Sequence, residues 1–226
     1  MIFGADSANA VTSGVIDQIT TAITKPTFWG RYLSGAYAFD AGERALLWSK
    51  GIRILPIYNG TTDHSAALNG TTADGTNDAQ AALAAASAQS VPSGTGIALY
   101  ADIEGSYLVS GAWLSGWVQG VQGGGYVAGI YCGTDKSGIT DAYSQISHDD
   151  RVSLLIWSNA PCFDAKNHWS VSGMPTAMQA VPMSAGGGIH VPNLWQYAMP
   201  LEGEAQIADL DICDGDAYDA MWAPPG

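Results

Sequence analysis

The sequence is poor in basic residues: 8 Lys and Arg stand against 21 Asp and Glu, a formal net charge of −13. A surface so charged repels phosphate backbones and anionic lipids, which argues against nucleic acid or a membrane as partner. The acids are scattered, so their bulk effect is solubility rather than an acidic docking tail. Cysteine is scarce too. Cys132, Cys162 and Cys213 are too few and too irregularly spaced for a disulfide framework or a zinc site, and they allow at most one bridge. Cys132 lies inside an apolar run and reads as core, whereas Cys162 and Cys213 stand in loop-like contexts and are the pair if one forms. No apolar run approaches the ~20 residues of a membrane helix. The opening MIFGADSANA has neither the basic nor the long apolar region of a signal peptide.

Several catalytic signatures are missing. No G-x-G-x-x-G follows the first strand, and GGGYVA at 123–128 precedes a strand instead of opening a helix, the place of a turn rather than a nucleotide site. No serine carries the G-x-S-x-G elbow. His64, His148, His168 and His190 lack paired spacing and read as surface residues. The tail DLDICDGDAYD invites a calcium reading, but a loop starting at Asp209 puts Asp214 where an EF-hand needs glycine and Ala220 where it needs glutamate. Ordinary loop capping is the expectation there. No metal and no cofactor is called for.

What is present is enough apolar material, 47% of 226 residues, for one sizeable core, so a single domain spanning 1–226 is expected. Short β-branched or aromatic runs alternate with helix-compatible segments. The predicted strands are Ile2–Asp6, Thr27–Leu33, Ile52–Tyr58, Ile97–Glu104, Tyr126–Cys132, Val152–Ser158, Ala177–Pro182 and Leu194–Tyr197. Helices are predicted over Val11–Ile23, Gly42–Ser49, Thr76–Ala88, Gly111–Gln122 and Thr140–Ile146. Past Trp157, Pro161, Pro175, Pro182, Pro192 and the triple glycine at 186–188 shorten or remove helices. Eight units suit an α/β fold of the compact (β/α)8 TIM-barrel type, with a doubly wound open sheet as the alternative. Trp113 and Trp117, four apart, mark a helix packing face.

In GIALYADIEGSY side chains alternate faces, so Leu99, Ala101 and Ile103 point to the helices while Tyr100, Asp102 and Glu104 point into the barrel at a strand's C-terminal end. Barrel enzymes place active sites there. Asp6 closes the first strand in the same way, although an Asp there equally suits a helix cap. ADLDICDGD can return Asp209 and Asp211 to the same rim, with either one facing inward. Crowded carboxyls resist full ionisation, so one is held protonated, as a general acid requires. Tyr32, Tyr58, Trp157, Trp195 and Tyr197 are candidate stacking faces for sugar rings.

FGADS, WGRYLSG, GIRILPIYNG, IALYADIEG, GYVAGIYCG, LLIWSN, LWQYA and ADLDI occur in an order that resembles the glycoside-hydrolase-like DUF1906 domains, relatives of the family 25 lysozymes. The resemblance covers nearly the whole chain. It implies a (β/α)8-type barrel acting on peptidoglycan or a similar polysaccharide, hence an extracellular or wall-associated place of work. Carried onto matching positions, it makes Glu104 the proton donor, Asp102 the assisting acid, Asp6 the first-strand acid and Asp209 the first acid of the closing motif. Asp211, a candidate substrate-binding residue, stands where family 25 often has Asn. The sixth strand ends WSNAP, unlike the lysozyme pattern. The expectation is a monomeric glycosidase for cell-wall glycan; a non-catalytic glycan-binding barrel, or a hydrolase of another polysaccharide, is the alternative.

Overall fold

Strand and helix alternate along the chain, and most helix starts carry their own cap. The structure, a computed structural model, describes residues 1–60, 70–104, 109–164, 168–199 and 208–225; His64 lies outside them. After β1 (Ile2–Asp6), the Thr12 hydroxyl accepts the Val15 N–H to start α1 (Ser13–Ala22). Asp40 does the same for α2 (Ala41–Ser49), which links β2 (Phe28–Tyr32) to β3 (Arg53–Tyr58). A reciprocal Thr71–Asp74 capping box opens α3 (Thr72–Ala88), so this helix begins before the predicted Thr76. Then follow β4 (Ala98–Asp102), α4 (Gly111–Gly123) capped by Ser110, and β5 (Val127–Cys132). The short helices α5 (Ser137–Gln145) and α6 (His148–Val152) lead to β6 (Leu155–Ser158). Ser147 caps α6, which is why β6 starts later than the predicted Val152.

Strands β1 to β6 run parallel in sequence order. The expected seventh strand at Ala177–Pro182 is not one. Proline brackets the segment at 175 and 182 and withholds backbone donors. In its place come the two-residue β7 (Phe163–Asp164), a hairpin of β8 (Met183–Ala185) and β9 (Gly188–His190), and β10 (Leu194–Met199), which joins β6 in parallel. The eighth strand is β11 (Asp209–Cys213), antiparallel to both β10 and β1, and it closes the barrel. The link from β10 to β11 is too short for the dozen or more residues of a parallel crossover, so antiparallel closure follows. A closed eight-stranded barrel with few, short helices in its last third results.

Strand alternation builds two cores. Leu99, Ala101 and Ile103 face outward with Trp113, Trp117 and Val118 of α4, while Ala98 and Tyr100 face inward with Phe28, Leu55, Trp157, Leu194 and Cys213. Ala217 and Met221, in and after α7 (Gly215–Asp219), pack into the inner core. They sit at the strands' N-terminal end, where the Ala98 N–H donates to the Ala220 carbonyl. The barrel is therefore a filled core open for chemistry only at its other mouth. Trp113 and Trp117 stack with centroids 5.8 Å apart, as their spacing foretold. Gly75 and Gly116 let α3 and α4 touch backbone to backbone, since a Cβ on either would run into the other helix's carbonyl.

The cysteines are free. Cys132 is buried in the outer core and Cys213 in the inner one, so the pairing considered for Cys162 and Cys213 does not form. Asp214 accepts the Ala217 N–H and caps α7, the capping role expected of the acidic tail. His148 is exposed at the start of α6, and His168 and His190 are half-buried against Phe163 and Tyr143.

Candidate active site

Parity along each strand decides what reaches the mouth. In β1, Ile2, Gly4 and Asp6 point inward while Phe3 and Ala5 join the outer core; in β11, Asp209, Asp211 and Cys213 point inward while Leu210 and Ile212 point out. Register then sets depth. Asp6 pairs with Asp209 at the rim, and Asp211 lies one layer lower, opposite Gly4 on one side and Gln196 on the other. Asp6 does not cap α1, because Thr12 does.

Asp6, Asp102, Glu104 and Asp209 line one pocket of about 100 Å³ together with Ala8, Tyr32, Ile57, Tyr131, Trp157 and Gln196. Asp102 is 2% exposed, whereas Glu104, two residues on and past the strand end, is exposed to incoming solute. Gly30 makes room for this convergence: a Cβ there would lie 2.8 Å from the Asp6 Cβ and 3.1 Å from the Trp157 ring. Asp211 is wholly buried beneath the pocket and accepts the Trp157 indole N–H at 3.0 Å.

Three of the aromatic candidates are placed elsewhere. Tyr58, Trp195 and Tyr197 face the outer layer: Tyr58 stacks on Trp117 at 6.2 Å, Trp195 donates to the Pro161 carbonyl at 2.7 Å, and Tyr197 is buried beside it. The reason is the two-residue period, since Ile57 and Gln196 take the inward positions next to them. Tyr32 and Trp157 do line the pocket.

The residues that sequence reading passed over are Tyr131 and Gln196. Tyr131 pairs with Asp102 in register, and its hydroxyl donates to Gln196 Oε1 at 2.7 Å. Gln196 Nε2 donates to Asp6 Oδ2 at 3.1 Å, and Asn159 Nδ2 donates to the Tyr131 oxygen at 3.2 Å. The signal available was the alternation itself: in GIYC and LWQYA the parity opposite to Cys132, Trp195 and Tyr197 carries Tyr131 and Gln196, and the fold puts that parity on the face of Asp102.

Crowding raises the acids of β1 and β11. Burial, then the Asp211 charge, push Asp6 well above the usual carboxylate range, with the Gln196 hydrogen bond opposing. Burial, then Asp6 and Glu104, bring Asp209 to about 8. Burial also brings Asp211 to about 8, against the pull of Asp6 and of the Trp157 N–H. Asp211 Oδ2 has no hydrogen-bond partner among the described residues. Burial and neighbouring acids also keep the Tyr131 and Tyr32 phenols protonated. Among the described residues no cluster of His, Cys, Asp and Glu has the arrangement of a metal site.

A closed barrel whose strand ends converge acids and aromatic faces on one mouth is a glycoside hydrolase-like barrel. The chain belongs to the Rv2525c-like, glycoside hydrolase-like domain family, the DUF1906 group, whose model matches residues 24–197. That span includes Asp102, Glu104, Tyr131 and Gln196; Asp6, Asp209 and Asp211 lie outside it. Among solved structures, an uncharacterized B. stearothermophilus protein is 26% identical with a TM-score of 0.81, covering 98% of this chain and 100% of its own. The Mycobacterium tuberculosis Tat-secreted protein Rv2525c, in complex with L-tartrate, is 17% identical with a TM-score of 0.62 over 98% of both chains. GHIP, a glycosyl hydrolase 25 of Streptococcus pneumoniae, is 12% identical with a TM-score of 0.51, over 99% of this chain and 94% of its own, a likeness of fold. A comparison with curated proteins finds no match.

Proposed function

We infer that the chain is a glycosidase that cleaves bacterial cell-wall glycan, a muramidase-like activity. The observation that carries this reading is the meeting of Asp6, Asp102, Glu104 and Asp209 with Tyr32 and Trp157 in one pocket. Glu104, exposed at the mouth, protonates the glycosidic oxygen. Asp102, buried two residues behind it, steadies the oxocarbenium-like centre or orients the substrate group that traps it. The raised acids Asp209, at the rim, and Asp211, one layer lower, carry protons near neutral pH and so limit the negative charge stored near the reacting ring. Tyr32 supplies a ring face for the sugar, while the buried Trp157 forms the floor of the pocket. The Tat-secreted relative supports an extracellular or wall-associated place of work.

Purified protein incubated with peptidoglycan releases reducing ends, and Glu104→Gln lowers that release at least about 100-fold, the scale of a lost general acid, with glycan binding retained. Binding without release by the wild type would favour a glycan-binding barrel instead. Release from another polysaccharide but not from peptidoglycan would reassign the substrate.

A further inference from the structure

The polar chain behind Asp6 has a direction. The Tyr131 oxygen accepts the Asn159 amide N–H, so the phenol's own proton points the other way, to Gln196 Oε1. With its carbonyl engaged, Gln196 turns its NH2 toward Asp6 and donates to Oδ2. A Gln196 amide rotated by half a turn would set its NH2 against the Tyr131 proton, which loses that contact, and its carbonyl against Asp6, which loses the other whenever Asp6 is ionised. Each link is defined by a ring or strand that cannot easily move: Tyr131 lies against Trp157 with centroids 4.8 Å apart, and Gln196 is buried on β10 between β6 and β11.

We propose that Tyr131 and Gln196 are positioning residues that reserve Oδ2 of Asp6 as a hydrogen-bond acceptor and leave Oδ1 as the atom through which Asp6 gains and loses its proton. Among the described residues, the groups facing Asp6 are acids or neutral donors: Asp209 and Asp211 from β11, Asp102 from β4, Tyr32 from β2, Tyr131 from β5 and Gln196 from β10, with Glu104 lining the same pocket. The Cys162 thiol, pushed up to about 12 by burial, also senses the Asp6 charge and stays neutral. No cation among these competes for the proton, so its location depends on which Asp6 oxygen is already occupied. The proton is then held on the oxygen that Gln196 does not occupy. The use of that proton in turnover rests on the glycosidase reading; its placement does not.

The test follows the Asp6 carboxyl directly. Protein labelled with carboxyl-¹³C aspartate is titrated by NMR, with the Asp6 signal assigned by its loss in Asp6→Asn. Removing the donor in Gln196→Leu, or the hydroxyl that orients it in Tyr131→Phe, moves the Asp6 midpoint to higher pH. The expected scale is roughly a tenfold fall in acid dissociation constant, that of one charge-assisted hydrogen bond. Because both changes break one chain, the double variant moves no further than the larger single one. An unchanged Asp6 midpoint in Tyr131→Phe, or shifts that simply add, would overturn the proposal. Tyr131→Phe keeps the ring on Trp157 and decides the question alone if Gln196→Leu does not fold. A wild type inert on every glycan tested would defeat the glycosidase reading while leaving this titration outcome in force.

Discussion

Asp6 and Asp209 are direct cross-strand partners on the antiparallel pair that closes the barrel, two acids on one face and partly out of water. Like charges set opposite each other repel, so the fold tolerates the pair only by keeping protons on it.

Stability should therefore depend on pH with a definite sign. Asp209 and Asp211 titrate at about 8 in the folded chain, against 3.8 for the unconstrained side chain. Between those values the folded state holds protons that the unfolded state has released, so stability is full at the acid end and falls as pH rises through the window. Melting temperatures measured from pH 4.5 to 9 decline for the wild type. They decline less for Asp209→Asn/Asp211→Asn, whose amides do not titrate. Parallel curves for the two proteins would contradict the assignment.

Tyr32 and Tyr58 separate the inner face from the outer. Tyr58→Ala removes a buried ring stacked on Trp117 and costs about 3–5 kcal/mol of stability by chemical denaturation, with glycan affinity of the folded fraction unchanged. Tyr32→Ala weakens glycan binding by the worth of a stacking face, about 0.5–1.5 kcal/mol, and costs less stability than Tyr58→Ala because Tyr32 is only partly buried against the inner core. Calorimetric titration with cell-wall fragments reads the contrast, and a binding defect in Tyr58→Ala would place that ring in the cleft after all.

Gly30→Ala tests the packing under the acids. The added Cβ would press on Asp6, Trp157 and Ile57 at 2.8, 3.1 and 3.2 Å, so the variant loses about 1–3 kcal/mol of stability through overpacking. Turnover falls more than the folded fraction does, because the displaced groups are those that line the pocket. Activity per folded molecule is the measurement.

Arg31 holds the rim from behind. Its guanidinium, 1% exposed, pairs with Glu43 and donates to the carbonyls of Ser7, Ala8 and Tyr37, tying the loop after β1 to the loop after β2. Arg31→Met strands the Glu43 carboxylate and costs about 3–5 kcal/mol, whereas the double change Arg31→Met/Glu43→Leu recovers much of the loss. A double-mutant cycle by urea unfolding checks this, and equal losses in the single and double variants would deny the coupling.

Much of this site could be read along the chain. The alternation in IALYADIE separates an acid face from an apolar one at any register, since the two-residue period is local geometry. Glu104 and Asp102 at a strand end, Trp113 and Trp117 as a packing pair, and Cys132 as core all followed from such local rules. Where two aromatic residues flanked one polar residue, as in LWQYA, composition favoured the rings, and the fold turned Gln196 inward instead.

What the sequence by itself determined is the first six strands and most of the helices among them, because caps, turn glycines and apolar periods act over a few residues; after Trp157, β10 followed from such local rules, but the hairpin and the closing strand β11 did not. The tertiary structure decided which strand closes the barrel and which of two neighbouring parities meets Asp102 across it. Those choices depend on register between segments up to two hundred positions apart, Asp6 against Asp209 and Gln196 against Asp211. Only when β11 pairs with both edges do the separate acids share one pocket and, through burial and mutual repulsion, keep their protons.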